Sequence, residues 1–498
     1  MTELDRRSVL KAGAAAAGGG LVLGGPFQGL VAQAAGAVGS APDFRALRAV
    51  PDQRDGKVRL FLPEGFSYRS FDDNEVGATL TEGGAPVPGR HDGMGAFSGG
   101  GADVTLVRNH ELPLPAGGNT SAFGTAVRTP YDAKAPGGTT TVETSLQGEV
   151  LRSYISLNGT LQNCSGGVMP WGSWMTCEET VNGPDVAADF TGITNKFLQQ
   201  RHGYVFEVPQ GGGAGNSPIR SAGRFAHESV AWDPQGKALY LSEDNFGFPS
   251  GFYKYVPPND PQADGYLADG GELYMLAVKG APNANLAAAQ QHRATYQVEW
   301  KRIDEPDVAY PYTPGTDATT LNDTALVHVS SQGIAKGGAY FSRLEGTVYD
   351  GGTVFFTSTQ GGGPAETEFT TTVPGGFGNG SGQVWALNTR SDTLQLVFES
   401  PGPMTLDLPD NITTSRRGTL VVCEDNVNDN FIRGLSRGGQ LFDIALNRLT
   451  SAITGLSRSD DEFAGSTFSP GGHTLFVNIQ AKSGMTFAIW GPWERIGV

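Results

Sequence analysis

Six stretches of the chain repeat one pattern of polar and apolar positions. Each opens on a polar or acidic residue, runs through two apolar alternating segments around a glycine-bearing turn, and closes on a polar end. They occupy residues 91–111, 163–179, 227–245, 344–360, 409–426 and 462–480. A period of two predicts half-buried strands, so each stretch reads as a β-hairpin. Further alternating runs, rich in aromatics, lie at 204–208, 252–256, 384–387 and 441–444, and predict outer strands of the same units. The longest interval separates the third and fourth stretches. Residues 262–335 there read as an insertion, in which an Ala-rich segment from Asn285 to Ala294 predicts a helix with Asn285 as its N-cap. Six repeated units of this size predict an all-β fold: a six-bladed β-propeller with a partly helical insertion between blades.

In a propeller the innermost strand of every blade lines the axis, so equivalent hairpin ends meet on one face. That face would gather Asn109, Glu111, Cys164, Glu179, Glu228, Glu243, Glu345, Asp410, Asn411, Glu424, Asp425 and Glu462. Turns account for single Asp and Asn residues, but β-turns have no preference for Glu. So many converging carboxylates are costly unless cations neutralise them. Many oxygens and few nitrogens favour a hard cation such as Ca²⁺. A cysteine among them, Cys164 in Asn163-Cys164-Ser165-Gly166-Gly167, suits a softer or more highly charged metal such as iron. Cys177 and Cys423 end apolar strands and read as buried small hydrophobes instead.

The chain shows neither a Gly-x-Ser-x-Gly elbow nor a phosphate-binding Walker loop, and Ser229 and Ser466 have no identifiable base. A metal-activated oxygen is therefore the expected nucleophile. Arg343, two residues before Glu345, is either a two-pronged clamp for a phosphate or an ordinary surface arginine.

Composition narrows the function further. Gly accounts for 72 of 498 residues, about twice the usual share, as a chain of many short strands requires. The net charge of −16, without a basic run, excludes a nucleic-acid partner. Arg6-Arg7-Ser8-Val9-Leu10-Lys11, a weakly apolar stretch and Ala32-Gln33-Ala34 predict a twin-arginine signal peptide over residues 1–37. The expected mature domain is 38–498, exported to the periplasm or beyond by the twin-arginine machinery, with no membrane attachment after processing.

The segment Asn163 to Gly167 with Pro170-Trp171-Gly172-Ser173-Trp174-Met175-Thr176-Cys177-Glu178-Glu179 resembles the signature of the PhoX-type alkaline phosphatases. So do Gly223-Arg224-Phe225-Ala226-His227-Glu228, Arg343-Leu344-Glu345-Gly346, Pro409-Asp410-Asn411 with Cys423-Glu424-Asp425, and Glu462-Phe463-Ala464-Gly465. The resemblance implies a monomeric, exported phosphomonoesterase acting on small phosphate esters, with an Fe³⁺ and Ca²⁺ cluster joined by a bridging oxygen. By position Cys164 matches the family's iron-binding cysteine. Glu228 and Glu462 match carboxylates of its cluster, as do Glu179, Glu345, Asp410 and Asp425. Arg343 matches the arginine that contacts phosphate. The chain is shorter than typical members, and its fourth stretch ends in Thr357-Ser358-Thr359-Gln360 without a carboxylate. Two other readings stay open: a calcium-dependent propeller hydrolase such as a lactonase or phosphodiesterase, and a non-catalytic calcium-binding propeller.

Overall fold

In the computed structural model the described residues are 44–498, apart from 78, 100–101, 125–128, 214 and 366–376. The predicted signal peptide lies outside them. All six predicted hairpins form. Their strands are His91–Ser98 with Val104–His110, Asn163–Met169 with Ser173–Glu178, and His227–Asp233 with Ala238–Glu243. The remaining three are Leu344–Asp350 with Thr353–Ser358, Pro409–Thr414 with Leu420–Glu424, and Glu462–Phe468 with Thr474–Gln480. The first strands pack side by side in chain order, and that of the sixth hairpin returns to that of the first, closing a ring. The fold is all-β and propeller-like.

The ring carries five sheets, and the third and fourth hairpins share one of them, nine strands wide. The joining strand is Thr295–Arg302 of the insertion, which pairs with Glu272–Val278 on one side and Thr393–Glu399 on the other. Sequence spacing could not reveal this, because the strand lies between two units and its pairing is non-local. The sheet of the sixth hairpin is completed by the early strand Ser67–Phe71, which pairs with Met485–Trp490 and joins the two ends of the chain. The outer strands predicted at 204–208, 252–256, 384–387 and 441–444 are present as Val205–Pro209, Phe252–Val256, Gln383–Asn388 and Leu441–Asn447.

The predicted helix from Asn285 to Ala294 does not form. Asn285 does behave as a cap, accepting from the Ala288 amide at 3.1 Å. Neighbouring segments then take the donors a helix needs: Leu286 N–H bonds Tyr340 O at 2.9 Å and Ala289 N–H bonds Gly363 O at 2.8 Å. Leu286 and Ala287 are buried there, so tertiary packing overrides alanine's propensity. Among the described residues the helices of the insertion are Pro261–Asp264 at its start, Asn322–Leu326 and His328–Ala335. Among the described residues no helix is long and apolar enough to cross a membrane.

Cys177 and Cys423 lie fully buried in apolar clusters between sheets, as their strand-end positions predict. Near the second hairpin, His202 is buried between two carboxylates, with Nδ1 2.6 Å from Glu178 and Nε2 3.4 Å from Asp132. Burial opposes its charge, but Glu178 and Asp132 outweigh burial and hold its pKa up at about 9. A raised folded pKa stabilises fully below the unfolded value, 6.5, and the contribution disappears as pH rises through about 9. The span corresponds to stabilisation on the order of 3 kcal/mol. Denaturant titrations from pH 6 to pH 10 should show wild type losing that increment, whereas His202→Gln should start lower and decline less. Parallel profiles would show that His202 carries no charge in the fold.

Candidate metal centre

The same irregularity recurs at the hub end of every hairpin. Pairing jumps between His91 and Met94, Asn163 and Gly166, His227 and Val230, Leu344 and Thr347, Pro409 and Ile412, and Ala464 and Thr467. In each, the first strand advances three residues while its partner advances two. An extra residue of this kind bends the strand and re-aims a side chain. The first residue inside each bulge is Asp92, Cys164, Glu228, Glu345, Asp410 or, in the sixth hairpin, Gly465. Four of these were expected as ligands. The residue just before the strand adopts left-handed backbone in four hairpins: Arg90 (φ 49°), Gln162 (φ 49°), Arg343 (φ 45°) and Leu408 (φ 52°). This conformation is uncommon for side chains other than Gly, and marks a position that the surroundings enforce.

The bulges bring ligand atoms together in two groups, each with its atoms within 4.8 Å of one another. One is Glu111, Cys164 and Glu179; the other is Glu228, Glu345 and Asp410. Asp92 adjoins the first, with Oδ2 3.5 Å from the Cys164 sulfur. Both carboxylate oxygens of Glu228 are buried without a hydrogen-bond partner, which is costly unless a cation meets them. Burial, then Glu345, Asp410 and Asp92, push Glu228 far above the usual carboxylate range. Burial, then Asp244, does the same to Glu345, with Arg343 opposing it. Asp410 is raised to about 8 by burial and then Asp425. Burial and the charges of Asp92 and Glu228 hold the Cys164 thiol protonated well past its ordinary range. Donors so placed fit bound cations: a thiol with carboxylates in one group, oxygens alone in the other.

Two expected ligands fall outside both groups. Asp425 is half-buried, and its charge still acts on Asp410 and Arg343. Glu462 is buried opposite Gln480, whose amide bonds Glu111 and, at 3.4 Å, Asp92. Glu462 stands two residues before the start of its bulge, where Gly465 takes the place held by Cys164 or an acid in the other hairpins. Glu243 and Glu424, gathered to the hub by the sequence pattern, do other work. Glu243 accepts from Gly251 N and Tyr253 OH, both at 2.7 Å, and Glu424 accepts from Arg433 Nε at 2.9 Å. Each braces its hairpin to the next strand outward. The repeat pattern does not single out Asp92 or Asp244 as functional, and it places Glu111 at the hub without marking it as a ligand. Asp92 was legible in principle, since it stands in its repeat where Cys164 and Glu228 stand in theirs.

Arg343 is not a surface residue: it is buried beside the second group. Its Nε and Nη2 bond the two oxygens of Asp244 at 3.2 and 2.9 Å, and Nη2 bonds Glu345 at 2.7 Å. Nη1 is buried without a partner. The two-pronged edge expected for a phosphate is thus occupied by Asp244, and Nη1 is the donor left over. The two candidate serine nucleophiles are also engaged: Ser229 Oγ donates to Gly166 O at 2.9 Å and Ser466 Oγ to Asn411 Oδ1 at 3.1 Å.

The fold and the site together define a propeller-like protein with a candidate metal centre at its hub. The chain belongs to the PhoX family of alkaline phosphatases, enzymes of the phosphoric monoester hydrolase class: the family model "Alkaline phosphatase PhoX" matches residues 127–483. Among solved structures it is similar to Pseudomonas fluorescens PhoX in complex with vanadate, a transition state analogue. The identity is 16% and the TM-score 0.63, over 90% of this chain and 98% of that one. Likeness to a Xanthomonas campestris gluconolactonase has TM-score 0.36 at 13% identity, covering 89% and 97% of the two chains. Virginiamycin B lyase from Staphylococcus aureus gives 0.37 at 10%, covering 85% and 99%. Neither of these two bears on function. No curated protein sequence matches the chain.

Proposed function

We propose that this chain is an exported alkaline phosphatase that hydrolyses small phosphate esters, on a fold best counted as six blades, with iron and calcium at the hub. The observation that carries the reading is Arg343, a buried arginine beside the all-oxygen group with one donor unspent. The thiol-bearing group, Glu111, Cys164 and Glu179, suits iron, and Glu228, Glu345 and Asp410 suit calcium. Asp425 and Glu462, matched to the family's ligands, would complete the outer positions. When bound, such metals supply Lewis-acid stabilisation of phosphoryl oxygens and an activated oxygen nucleophile.

The chain's own part is positioning. Asp244 and Glu345 fix the guanidinium, so its Nη1 meets a phosphoryl oxygen without reorganisation as charge develops. Burial strengthens that contact by excluding water. The hydroxyls of Ser229 and Ser466 are held in backbone and amide bonds, which leaves attack to an oxygen that is not part of the protein. Export in folded form by the twin-arginine route agrees with a thiol ligand, since the reducing cytoplasm keeps Cys164 free until metal arrives.

Metal analysis of the purified protein together with aryl-phosphate hydrolysis tests the reading. Cys164→Ser should remove a visible sulfur-to-iron charge-transfer band, deplete iron and eliminate activity while the fold is retained. A colourless wild type without iron that hydrolyses a lactone or phosphodiester with calcium alone would replace the phosphatase reading. Calcium binding with no hydrolysis of any of these would leave a binding propeller.

A further inference from the structure

In four hairpins the second residue inside the bulge is polar, and these four, Ser165, Ser229, Asn411 and Ser466, line one cavity. These residues build a layer of their own. Asn411, which follows Asp410, donates from Nδ2 to Ser165 Oγ at 3.1 Å. Its Oδ1 accepts from Ser466 N at 2.9 Å and Ser466 Oγ at 3.1 Å. One amide thus joins the second, fifth and sixth hairpins across the ring. Ser165 directly follows Cys164, whose backbone is clamped from the first hairpin: Asn109 Nδ2 donates to Cys164 O at 2.9 Å and to Ser165 O at 2.8 Å. Asn411, itself the residue after a candidate ligand of the second group, is therefore bonded to the residue after a candidate ligand of the first.

Beneath this layer lies a channel of about 340 Å³, lined by Met94, Trp174, Val230, Ile412 and Thr467 among others, with no charged side chain in its wall. Ser165, Asn411 and Ser466 are among its lining residues, and all three are buried. Ser165 and Asn411 thus line the neutral channel while standing next in the chain to the candidate ligands Cys164 and Asp410.

We propose that Asn411 is a positioning residue for the hydrolytic centre: it sets the spacing of the two ligand groups across the hub. An apolar side chain of the same size fills the space but makes none of the three bonds. Aspartate keeps all three, because the Ser165 hydroxyl can turn and donate, while Ser466 N and Oγ still find an acceptor. Partners that orient metal ligands typically govern tenfold to a hundredfold of affinity or activity.

The role rests on the reading of the site as a metal-dependent phosphatase, and its test has one arm that does not. Wild type, Asn411→Leu and Asn411→Asp are stripped with chelator, dialysed and titrated with calcium alone. They are also assayed as isolated holoenzymes on an aryl phosphate. Asn411→Leu should lose about tenfold to a hundredfold in calcium affinity and in kcat, with KM little changed, and Asn411→Asp should recover both. Leucine equal to wild type, or aspartate as damaged as leucine, would overturn the role. If the leucine protein does not fold, Ser165→Ala removes the single acceptor for Nδ2 and should give the same kind of loss, smaller in size; wild-type behaviour there overturns the proposal too. A wild type inactive on every phosphate ester would instead defeat the phosphatase reading, leaving the calcium titration to decide Asn411.

Discussion

Lysine in place of Arg343 should lower kcat/KM for an aryl phosphate by roughly a hundredfold to a thousandfold, the cost of losing one pre-aimed donor in a closed site. The guanidinium reaches Asp244 with two nitrogens, Glu345 with one of them, and keeps Nη1 in reserve. An ammonium has one nitrogen for all of these tasks, on a stem that does not hold a planar fork. It keeps the charge, so Glu345 and Asp244 remain compensated and the metal content should stay at the wild-type level. Inhibition by inorganic phosphate should weaken in parallel, since phosphate and the transition state meet the same donor. Asp244→Asn supplies the companion measurement. It should free the guanidinium and lower kcat with a smaller change in phosphate inhibition. Phosphate inhibition that is unaltered in Arg343→Lys would make the arginine a structural counter-ion alone.

Removal of metal should abolish hydrolysis and lower Tm together. Each ion bound at a thousandfold over its dissociation constant contributes about 4 kcal/mol to stability, and the hub holds two groups of candidate ligands. The stripped protein should also gain a pH dependence on top of the one that His202 gives the loaded protein. Burial and then Asp425 raise the folded pKa of Asp410 from 3.8 to about 8. A carboxyl raised in this way binds its proton more tightly in the folded state, so stability declines as pH rises from about 4 to about 8. Calorimetry of chelated protein at pH 5 and pH 8 should show the lower Tm at pH 8, and calcium should restore it. A Tm and activity indifferent to chelation at both pH values would remove the metal centre.

Hairpin signals come from alternation and turn residues that are close in sequence, so all six hub hairpins were legible, with their ends. The repeat also placed Cys164, Glu228, Glu345 and Asp410 at equivalent positions, each the second residue of its stretch, because the pattern that marks a hairpin's start is local in sequence. The same register pointed to Asp92, where the short His91-Asp92-Gly93 reads as a turn and masks it. Buried Cys177 and Cys423 followed from apolar strands in the same local way.

What the chain could not disclose by itself is non-local. The pairing of Thr295–Arg302 with two different units turned separate blades into one nine-stranded sheet, and packing against Tyr340 and Gly363 cancelled the helix at Asn285. The division of acids into two groups, with Glu243 and Glu424 turned outward to brace neighbouring strands, depends on which partner each carboxylate meets across the ring. Sequence determined that Arg343 stands beside Glu345. Only the tertiary structure decided that Asp244, ninety-nine positions away, occupies its two-pronged edge, because hydrogen-bond partners follow proximity in space and burial leaves no water to take their place.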